Sequence, residues 1–186
     1  MFWGQMFKLN KNDRDFVAWN IHKSALLYGE FLLSSGKKSS IYIDKYLFET
    51  DWSILGIISQ KFCYFMDGIT LLACTELGGI ALAASAAEKL CKNFVIVRKV
   101  KEYGTAKAIE GKFTVDDQVL LIEDIVTTGS QIIKAANILT AAGVKIKRIV
   151  TVVDREEGGR KNIEDAGYEF HSLVTMQEIL NAIKQG

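Results

Sequence analysis

The stretch Val119-Leu-Leu-Ile-Glu-Asp-Ile-Val-Thr-Thr-Gly-Ser130 decides the fold class of this 186-residue chain. Its apolar run stops at two adjacent carboxylates, Glu123 and Asp124, and a hydroxyl-rich turn that ends in glycine follows them. The next residues, Gln131 to Ala142, form an amphipathic segment. A short apolar run bounded by turn residues is typical of a buried strand, and apolar residues at helical spacing predict a helix. The order is therefore strand, acidic edge, turn and helix.

The turn in this stretch has the features of a phosphate site. The first N–H groups of a helix lack an intrahelical partner, and the helix dipole adds partial positive charge there, so an anion fits. Gly129 allows the backbone to approach a ligand closely, and Thr127, Thr128 and Ser130 add hydroxyl donors. Ordinary helix-capping turns contain the same residue types, so the turn alone leaves both interpretations open.

The two carboxylates indicate a different part of the ligand, because they would repel a phosphate. Ionised carboxylates accept strong hydrogen bonds from hydroxyl groups, so Glu123 and Asp124 suit the diol of a ribose. Beside a phosphate site, they indicate a ribose 5-phosphate ligand. The alternative is a pair of solvated acids at a strand end.

Short apolar runs alternate with helical segments along most of the chain. Strands are predicted at 69–74, 94–97, 119–122, 148–153 and 168–174, and helices at 11–28, 54–65, 80–91, 131–142, 160–166 and 176–184. Asp51 is predicted to cap the second helix, and residues 31–48 to be extended around a turn at 34–39. This alternation predicts an α/β fold: a Rossmann-like parallel sheet flanked by helices.

Polar segments follow four of the predicted strands. They span residues 75–79, 98–104, 123–130 and 154–159. Ligands of parallel sheets bind at the carboxyl ends of the strands, so we expect these four segments to meet at one edge. Four such segments favour a ligand site over a set of unrelated capping turns.

Composition limits the possible partners. A net charge of +1 predicts no bulk attraction to nucleic acid or to a membrane surface. The longest apolar region, 69–87, is interrupted by Glu76 and by two glycines, and the first residues have no long apolar core, so neither a membrane span nor a signal peptide is expected. Three cysteines without metal-like spacing indicate reduced thiols in a cytoplasmic protein.

Taken together, these segments resemble the orotate phosphoribosyltransferase family over residues 29–159. Glu123 to Ser130 is similar to the motif with which type I phosphoribosyltransferases bind phosphoribosyl pyrophosphate (PRPP). Three further segments narrow the class to orotate: residues 31–44 resemble the stretch beside the orotate pocket, residues 98–111 the mobile lid, and residues 154–158 the segment whose arginine contacts orotate.

The resemblance implies transfer of ribose 5-phosphate from PRPP to orotate, which gives orotidine 5′-monophosphate and pyrophosphate in pyrimidine nucleotide synthesis. The implied PRPP-binding residues are Arg98, Lys99, Lys101, Tyr103, Glu123, Asp124, Ile125, Val126, Thr127, Thr128, Gly129, Ser130 and Gln131. Lys101 and Asp124 are the implied catalytic residues, and Thr127 and Arg155 the implied orotate contacts.

The resemblance also implies a cofactor, an assembly and a domain layout. Mg²⁺ is expected to be held mostly by PRPP oxygens, so no dedicated metal-binding residues are assigned. Residues 1–186 are expected to form a single domain, with a small N-terminal hood at 1–50 and the lid at 98–111. The family works as a homodimer in which one subunit's lid covers the other's site, so Lys101 would act in trans.

Several residues depart from the family pattern. One residue separates Lys99 from Lys101 where members usually have two, so two registers of these lysines remain open. Tyr103 stands where many members have histidine, and Ser34 where many bacterial members have a lysine. A transferase acting on another base and a PRPP-sensing regulator without catalysis stay open as alternatives. For Arg155 the alternative is a surface ion pair with a neighbouring glutamate.

Overall fold

A computed structural model describes residues 9–32, 36, 38–98 and 107–182 of the chain. Its strands are β1 (Leu26–Leu32), β2 (Lys38–Ile43), β3 (Leu71–Thr75), β4 (Asn93–Val97), β5 (Ile109–Glu110), β6 (Gln118–Val126), β7 (Lys145–Asp154) and β8 (Phe170–Thr175). Its helices are α1 (Lys11–Ala25), α2 (Lys45–Glu49), α3 (Trp52–Lys61), α4 (Gly79–Leu90), α5 (Ser130–Ala141), α6 (Gly159–Asp165) and α7 (Met176–Asn181).

Six of the strands form one sheet in the order β5-β4-β3-β6-β7-β8. The five longer strands pair in parallel, and the two-residue β5 pairs antiparallel with β4 at the edge. The predicted α/β fold with a parallel sheet is therefore confirmed. None of the helices in the described ranges has the length and apolar character needed to cross a membrane.

Both faces of the sheet are buried, as the continuous apolar strands predict. Successive side chains of a strand face opposite sides, so each strand contributes to two cores. On β6, Leu120 and Ile122 pack in the core that contains buried residues of α1, α3, α4 and α7. Val119 and Leu121 pack in the other core, with buried residues of α5 and α6.

The N-terminal region differs from the prediction at two points. The first helix, predicted to reach Tyr28, ends at Ala25, because residues 26–32 pair antiparallel with β2. The Ala25 carbonyl accepts a hydrogen bond from the backbone N–H of Asp44 at 2.9 Å, and the rings of Phe31 and Tyr42 stack with centroids 5.4 Å apart. These contacts join residues distant in sequence, so local periodicity does not reveal them.

The second difference is helix α2, where the sequence predicts extended chain. The Asp44 carboxylate caps this helix by accepting a hydrogen bond from the N–H of Tyr46 at 3.1 Å. Residues four apart on a helix are neighbours, so Lys45 and Glu49 share one face of α2. The next helix, α3, is capped by Asp51 as predicted.

The acidic pair lies inside β6 and not beyond its end, which corrects the predicted boundary at Ile122. The strand continues to Val126 because β7 continues beside it, with Glu123 opposite Thr151 and Val126 opposite Asp154. The glycine turn follows directly. The other predicted strands and helices are present with small shifts of their ends.

Candidate active site

A pocket of about 460 Å³ lies at the carboxyl ends of β3, β4 and β6. Its walls are residues 45–46, 75–78, 97–98 and 123–132, together with Lys134, Ala135 and Ile138. Three of the four polar segments predicted to meet at this edge therefore contribute to one pocket. The fourth segment, 154–159, follows β7 and is not among the residues that line it.

Glycine is required in the turn after β6. Gly129 has φ = 78°, a conformation that side chains with a Cβ rarely adopt. A Cβ at this position would lie 2.9 Å from Cγ1 of Ile163 and 3.1 Å from the carbonyl oxygen of Gly159. Helix α6 therefore packs directly against the turn and fixes its position.

The N-terminus of α5 is open to the pocket. No side chain caps this helix within the described part of the chain, so its first N–H groups are left for a ligand. Thr128, Ser130 and Gln131 line the pocket and are exposed, and the hydroxyl oxygens of the first two are 3.1 Å apart. This arrangement favours an anion site over the capping turn that the sequence left open.

The two carboxylates of β6 have different partners. Glu123 Oε2 accepts a hydrogen bond from the Thr75 hydroxyl at 2.7 Å. Asp124 is only 3% exposed, and its Oδ2 atom forms an ion pair with Lys45 Nζ at 2.5 Å. Its Oδ1 atom accepts a hydrogen bond from the N–H of Ile125 at 2.5 Å. Asp124 is thus the more tightly held acid of the pair.

A third carboxyl group lies behind this pair. Glu49 is 4% exposed, and its Oε1 atom has no hydrogen-bond partner among the described residues. Burial, followed by the charge of Asp124, raises the pKa of Glu49 to about 8, and the same two causes raise the pKa of Glu123 to about 8. The cluster therefore retains protons near neutral pH.

Lys45 is the cation of this cluster. Burial is the largest single influence and lowers the pKa of its ammonium group, but the charge of Asp124, the hydrogen bond to Asp124 and the charge of Glu49 together raise this pKa above its usual value. Lys45, Glu49 and Thr75 lie beside the acidic pair. Thr75 belongs to the segment 75–79 that was expected at this edge, whereas Lys45 and Glu49 were not predicted at the site. A prediction of helix for residues 45–49 would have placed Lys45 and Glu49 on one face, because residues four apart on a helix are neighbours.

The described ranges contain residues 98 and 107–111 of the predicted lid, and Arg98 is the one predicted PRPP-binding residue among them. It lines the pocket at the end of β4, where its guanidinium pairs with Glu110 at 3.2 Å and with Glu76 at 3.4 Å. Lys99, Lys101 and Tyr103 lie outside the described residues.

Arg155 lies beside the pocket and does not line it. Its backbone N–H donates to the carbonyl of Val126 at 2.9 Å, and its Nη2 atom pairs with Glu157 Oε1 at 2.9 Å. The ion pair considered as an alternative is therefore present. The Nε atom is buried and has no hydrogen-bond partner among the described residues, so the guanidinium still has a donor to satisfy.

Comparison with known proteins identifies the family. The model of the phosphoribosyl transferase domain matches residues 53–178. An orotate phosphoribosyltransferase of Halobacterium salinarum is 45% identical over 159 residues, which is 85% of this chain and 91% of that protein. The chain belongs to the orotate phosphoribosyltransferase family. Its members are phosphoribosyl-transferring enzymes, which agrees with the acidic pair of β6 and the turn between β6 and α5.

Solved structures agree with this assignment. The orotate phosphoribosyltransferase of Aeropyrum pernix superposes with a TM-score of 0.78 at 27% identity, over 91% of this chain and 99% of that one. The Mycobacterium tuberculosis H37Rv enzyme in complex with PRPP gives a TM-score of 0.76 at 22% identity, over 90% and 98% of the two chains. The second comparison supports the fold alone.

Proposed function

We propose that the protein is an orotate phosphoribosyltransferase, which transfers ribose 5-phosphate from PRPP to orotate in pyrimidine nucleotide synthesis. The products are orotidine 5′-monophosphate and pyrophosphate. The observation that carries the proposal is that one pocket contains both the acidic pair of β6 and the uncapped N-terminus of α5. A ribose 5-phosphate needs both: acceptors for its hydroxyls and donors for its phosphate.

The substrate position follows from these two features. The 5-phosphate binds at residues 127–131, where backbone N–H groups and the hydroxyls of Thr127, Thr128 and Ser130 donate to it. Glu123 and Asp124 accept hydrogen bonds from the ribose hydroxyls. Residues 125–126 connect the two subsites along β6, and all nine residues from 123 to 131 line the pocket.

The reaction breaks the bond between the ribose anomeric carbon and the diphosphate, and forms a bond from that carbon to a ring nitrogen of orotate. Positive charge develops on the sugar and negative charge on the leaving diphosphate. Arg98 lies at the pocket and supplies one compensating charge. We propose that Lys99, Lys101 and Tyr103, which lie outside the described residues, complete the PRPP site, with Lys101 as the catalytic lysine of the lid.

Arg155 and Thr127 are proposed to contact orotate. Arginine presents five N–H donors in one plane, which suits the carboxylate and carbonyl oxygens of this base. Only Nη2 of Arg155 pairs with Glu157, and the buried Nε lacks a partner among the described residues, so donors remain for orotate. Thr127 lines the pocket and directly follows Val126, whose carbonyl accepts a hydrogen bond from the backbone N–H of Arg155.

We propose that PRPP binds together with Mg²⁺. This ion prefers oxygen ligands and is usually held by one or two carboxylates plus substrate phosphates. The pocket fits this pattern, since Glu123 and Asp124 are its carboxylates at the ribose subsite. The bound ion would neutralise diphosphate charge, with most of its ligands from PRPP and water.

We further propose the layout and setting expected for the family: a single domain with a hood at 1–50, a mobile lid at 98–111 and a homodimer in the cytoplasm. Three free thiols support a reducing compartment. One of them, Cys74, is buried, and burial raises its pKa to about 12, so this thiol is unreactive.

Turnover of orotate tests the proposed function. The purified protein with PRPP, Mg²⁺ and orotate should consume the ultraviolet absorbance of orotate, and the absorbance should stay constant when PRPP is omitted. Turnover with another base but not with orotate would identify a different phosphoribosyltransferase. PRPP binding without turnover of any base would identify a PRPP-sensing regulator.

Arg155 provides the sharpest test of base recognition. Arg155→Ala should raise the KM for orotate about tenfold or more, because hydrogen bonds to charged groups contribute about 1.5–3 kcal/mol. The Kd for PRPP should stay within about twofold of the wild-type value, as expected where no contact is removed. Glu157→Gln is the matched control: it removes the ion pair and keeps the arginine, so the KM should not change. Equal effects of both substitutions would show that Arg155 serves only the ion pair.

A further inference from the structure

Lys45 occupies a position in the pocket that the chemistry proposed above leaves without a role. It lies on α2, in the N-terminal region, and lines the same pocket as Arg98 and the turn after β6. Its Nζ atom is 2.5 Å from Asp124 Oδ2, and its side chain is 31% exposed. A charged group that is partly open to the pocket is available to a bound substrate.

The backbone around Lys45 is shaped for this ion pair. A Cβ on Gly78 would collide with Asp124 Oδ2 and lie against Lys45 Nζ. The missing side chain therefore allows the lysine and the aspartate to pack against the turn that follows β3. The Asp44 cap fixes the start of α2, the helix whose first residue is Lys45.

The ammonium group of Lys45 has N–H groups that make no hydrogen bond among the described residues. It carries three N–H groups, and within the described residues its hydrogen bond goes to Asp124. The ring of Tyr46 and the carboxyl group of Glu49 also lie nearby, and the centroid of the Tyr46 ring is 5.4 Å from Nζ. Two N–H groups are therefore left for an anionic ligand in the pocket.

The stereochemistry of PRPP brings the diphosphate close to this lysine. PRPP is 5-phospho-α-D-ribosyl 1-diphosphate, so its diphosphate projects from the same face of the ribose as the 2- and 3-hydroxyls. The carboxylate that holds those hydroxyls therefore lies on the diphosphate side of the sugar. A cation paired with that carboxylate lies within reach of the leaving group.

Resting on the proposed function, we propose that Lys45 is a further PRPP-binding residue. In the free enzyme Lys45 neutralises Asp124; when the ribose hydroxyls bond to Asp124, Lys45 turns to the diphosphate. The exchange avoids leaving Asp124, which is 3% exposed, as an unpaired charge in the absence of substrate. It also supplies the diphosphate with a cation from the folded framework of the pocket.

The test compares two ligands that differ only in the diphosphate. Titration calorimetry with Lys45→Met should show a Kd for PRPP raised about tenfold, the size expected for one charge-assisted hydrogen bond. The Kd for ribose 5-phosphate, which has the diol and the 5-phosphate alone, should change less than about threefold. Lys161→Met, on an exposed lysine paired with Asp165, removes the same charge elsewhere and should change neither Kd.

The other outcomes overturn the proposal. Equal weakening of both ligands would show that Lys45 only positions Asp124, and unchanged binding of both would show that it has no part in the site. Lys45→Arg should keep the Kd for PRPP within about threefold of the wild-type value, because arginine carries the same positive charge. If Lys45→Met does not fold, Lys45→Gln replaces it. These titrations contain no orotate, so they test Lys45 even if the wild-type protein proves not to use that base.

Discussion

Among the described residues, the Asp124 side chain lies beside one ammonium group and two further carboxyl groups. Lys45 pairs with it directly, while Glu49 and Glu123 both have pKa values raised to about 8, first by burial and then by the charge of Asp124. One ammonium group cannot balance three ionised carboxylates. In the substrate-free site, burial and the charge of Asp124 favour the protonated forms of the other two acids while Asp124 pairs with Lys45, and this balance depends on pH.

This cluster predicts that the protein loses stability as pH rises. The ordinary pKa of Glu49 is 4.5, and in the folded protein it is raised to about 8. Between these values the unfolded chain has released the proton and the folded protein has not, so the free energy of unfolding falls with rising pH. Glu49→Gln has no proton to lose. The free energy of unfolding of Glu49→Gln, measured relative to that of the wild type, should therefore rise by about 1–3 kcal/mol between about pH 5 and pH 8.

Urea unfolding at a series of pH values measures this difference. Glu88→Gln is the control, because Glu88 is an exposed residue on α4 and its replacement should give a parallel pH curve. If Glu49→Gln follows the wild-type curve throughout, the buried carboxyl is not protonated in the folded protein, and our account of the cluster is wrong.

At the level of elements, the sequence predicts what depends on local pattern. Continuous apolar runs predicted the parallel strands, and hydroxyl groups beside Gly129 predicted the turn between β6 and α5. The end of β6 was not predictable locally. Glu123 and Asp124 resemble a strand end in composition, but the neighbouring strand β7 extends the ladder past them.

Helix α2 shows a second limit of local pattern. It has only five residues, Lys45–Glu49, and it follows the β1–β2 hairpin directly. Its sequence therefore resembles a continuation of the extended chain. Its position depends on the Asp44 cap and on long-range contacts, including the hydrogen bond from the backbone N–H of Asp44 to the carbonyl of Ala25. Because residues 45–48 were predicted as extended chain, the position of Lys45 at the acidic pair could not be predicted.

The turn between β6 and α5 predicts a strong effect of Gly129→Ala. The substitution combines an unfavourable positive φ with contacts at 2.9 Å to Ile163 and 3.1 Å to Gly159, so it should cost about 2–4 kcal/mol of stability. Gly167→Ala is the matched control, with φ = 88° and no atom within 4 Å of the added Cβ. It should cost only about 1–2 kcal/mol.

Chemical denaturation measures both costs, and titration with ribose 5-phosphate measures the site. Gly129→Ala should also weaken binding of this ligand, because the turn that presents the first N–H groups of α5 must shift. Gly167→Ala should leave that affinity unchanged. Equal stability losses in the two variants would mean that α6 does not constrain the turn.

For the whole molecule, the parallel sheet explains why residues far apart in sequence form one site. Thr75 ends β3, Arg98 follows β4, and Asp124 lies two residues before the end of β6. The three strands are adjacent in the sheet, and their carboxyl ends lie together. The N-terminal region adds Lys45 to this edge. The residues still needed for the leaving group, Lys99 and Lys101, lie in the proposed lid, and the proposed dimer decides which subunit's site they serve.

Mixed dimers test whether the lid acts in trans. Lys101→Ala and Asp124→Asn should each be nearly inactive alone, because one removes the lid lysine and the other a ribose-binding carboxylate. In a twofold dimer with exchanged lids, half of the dimers in an equal mixture are hybrids and each has one intact site, so activity should return to about a quarter of wild type. Subunits are mixed under exchange conditions, and hybrid formation is checked with a charge tag on one variant. Hybrids that form without regaining orotate turnover would show that each lid serves its own subunit.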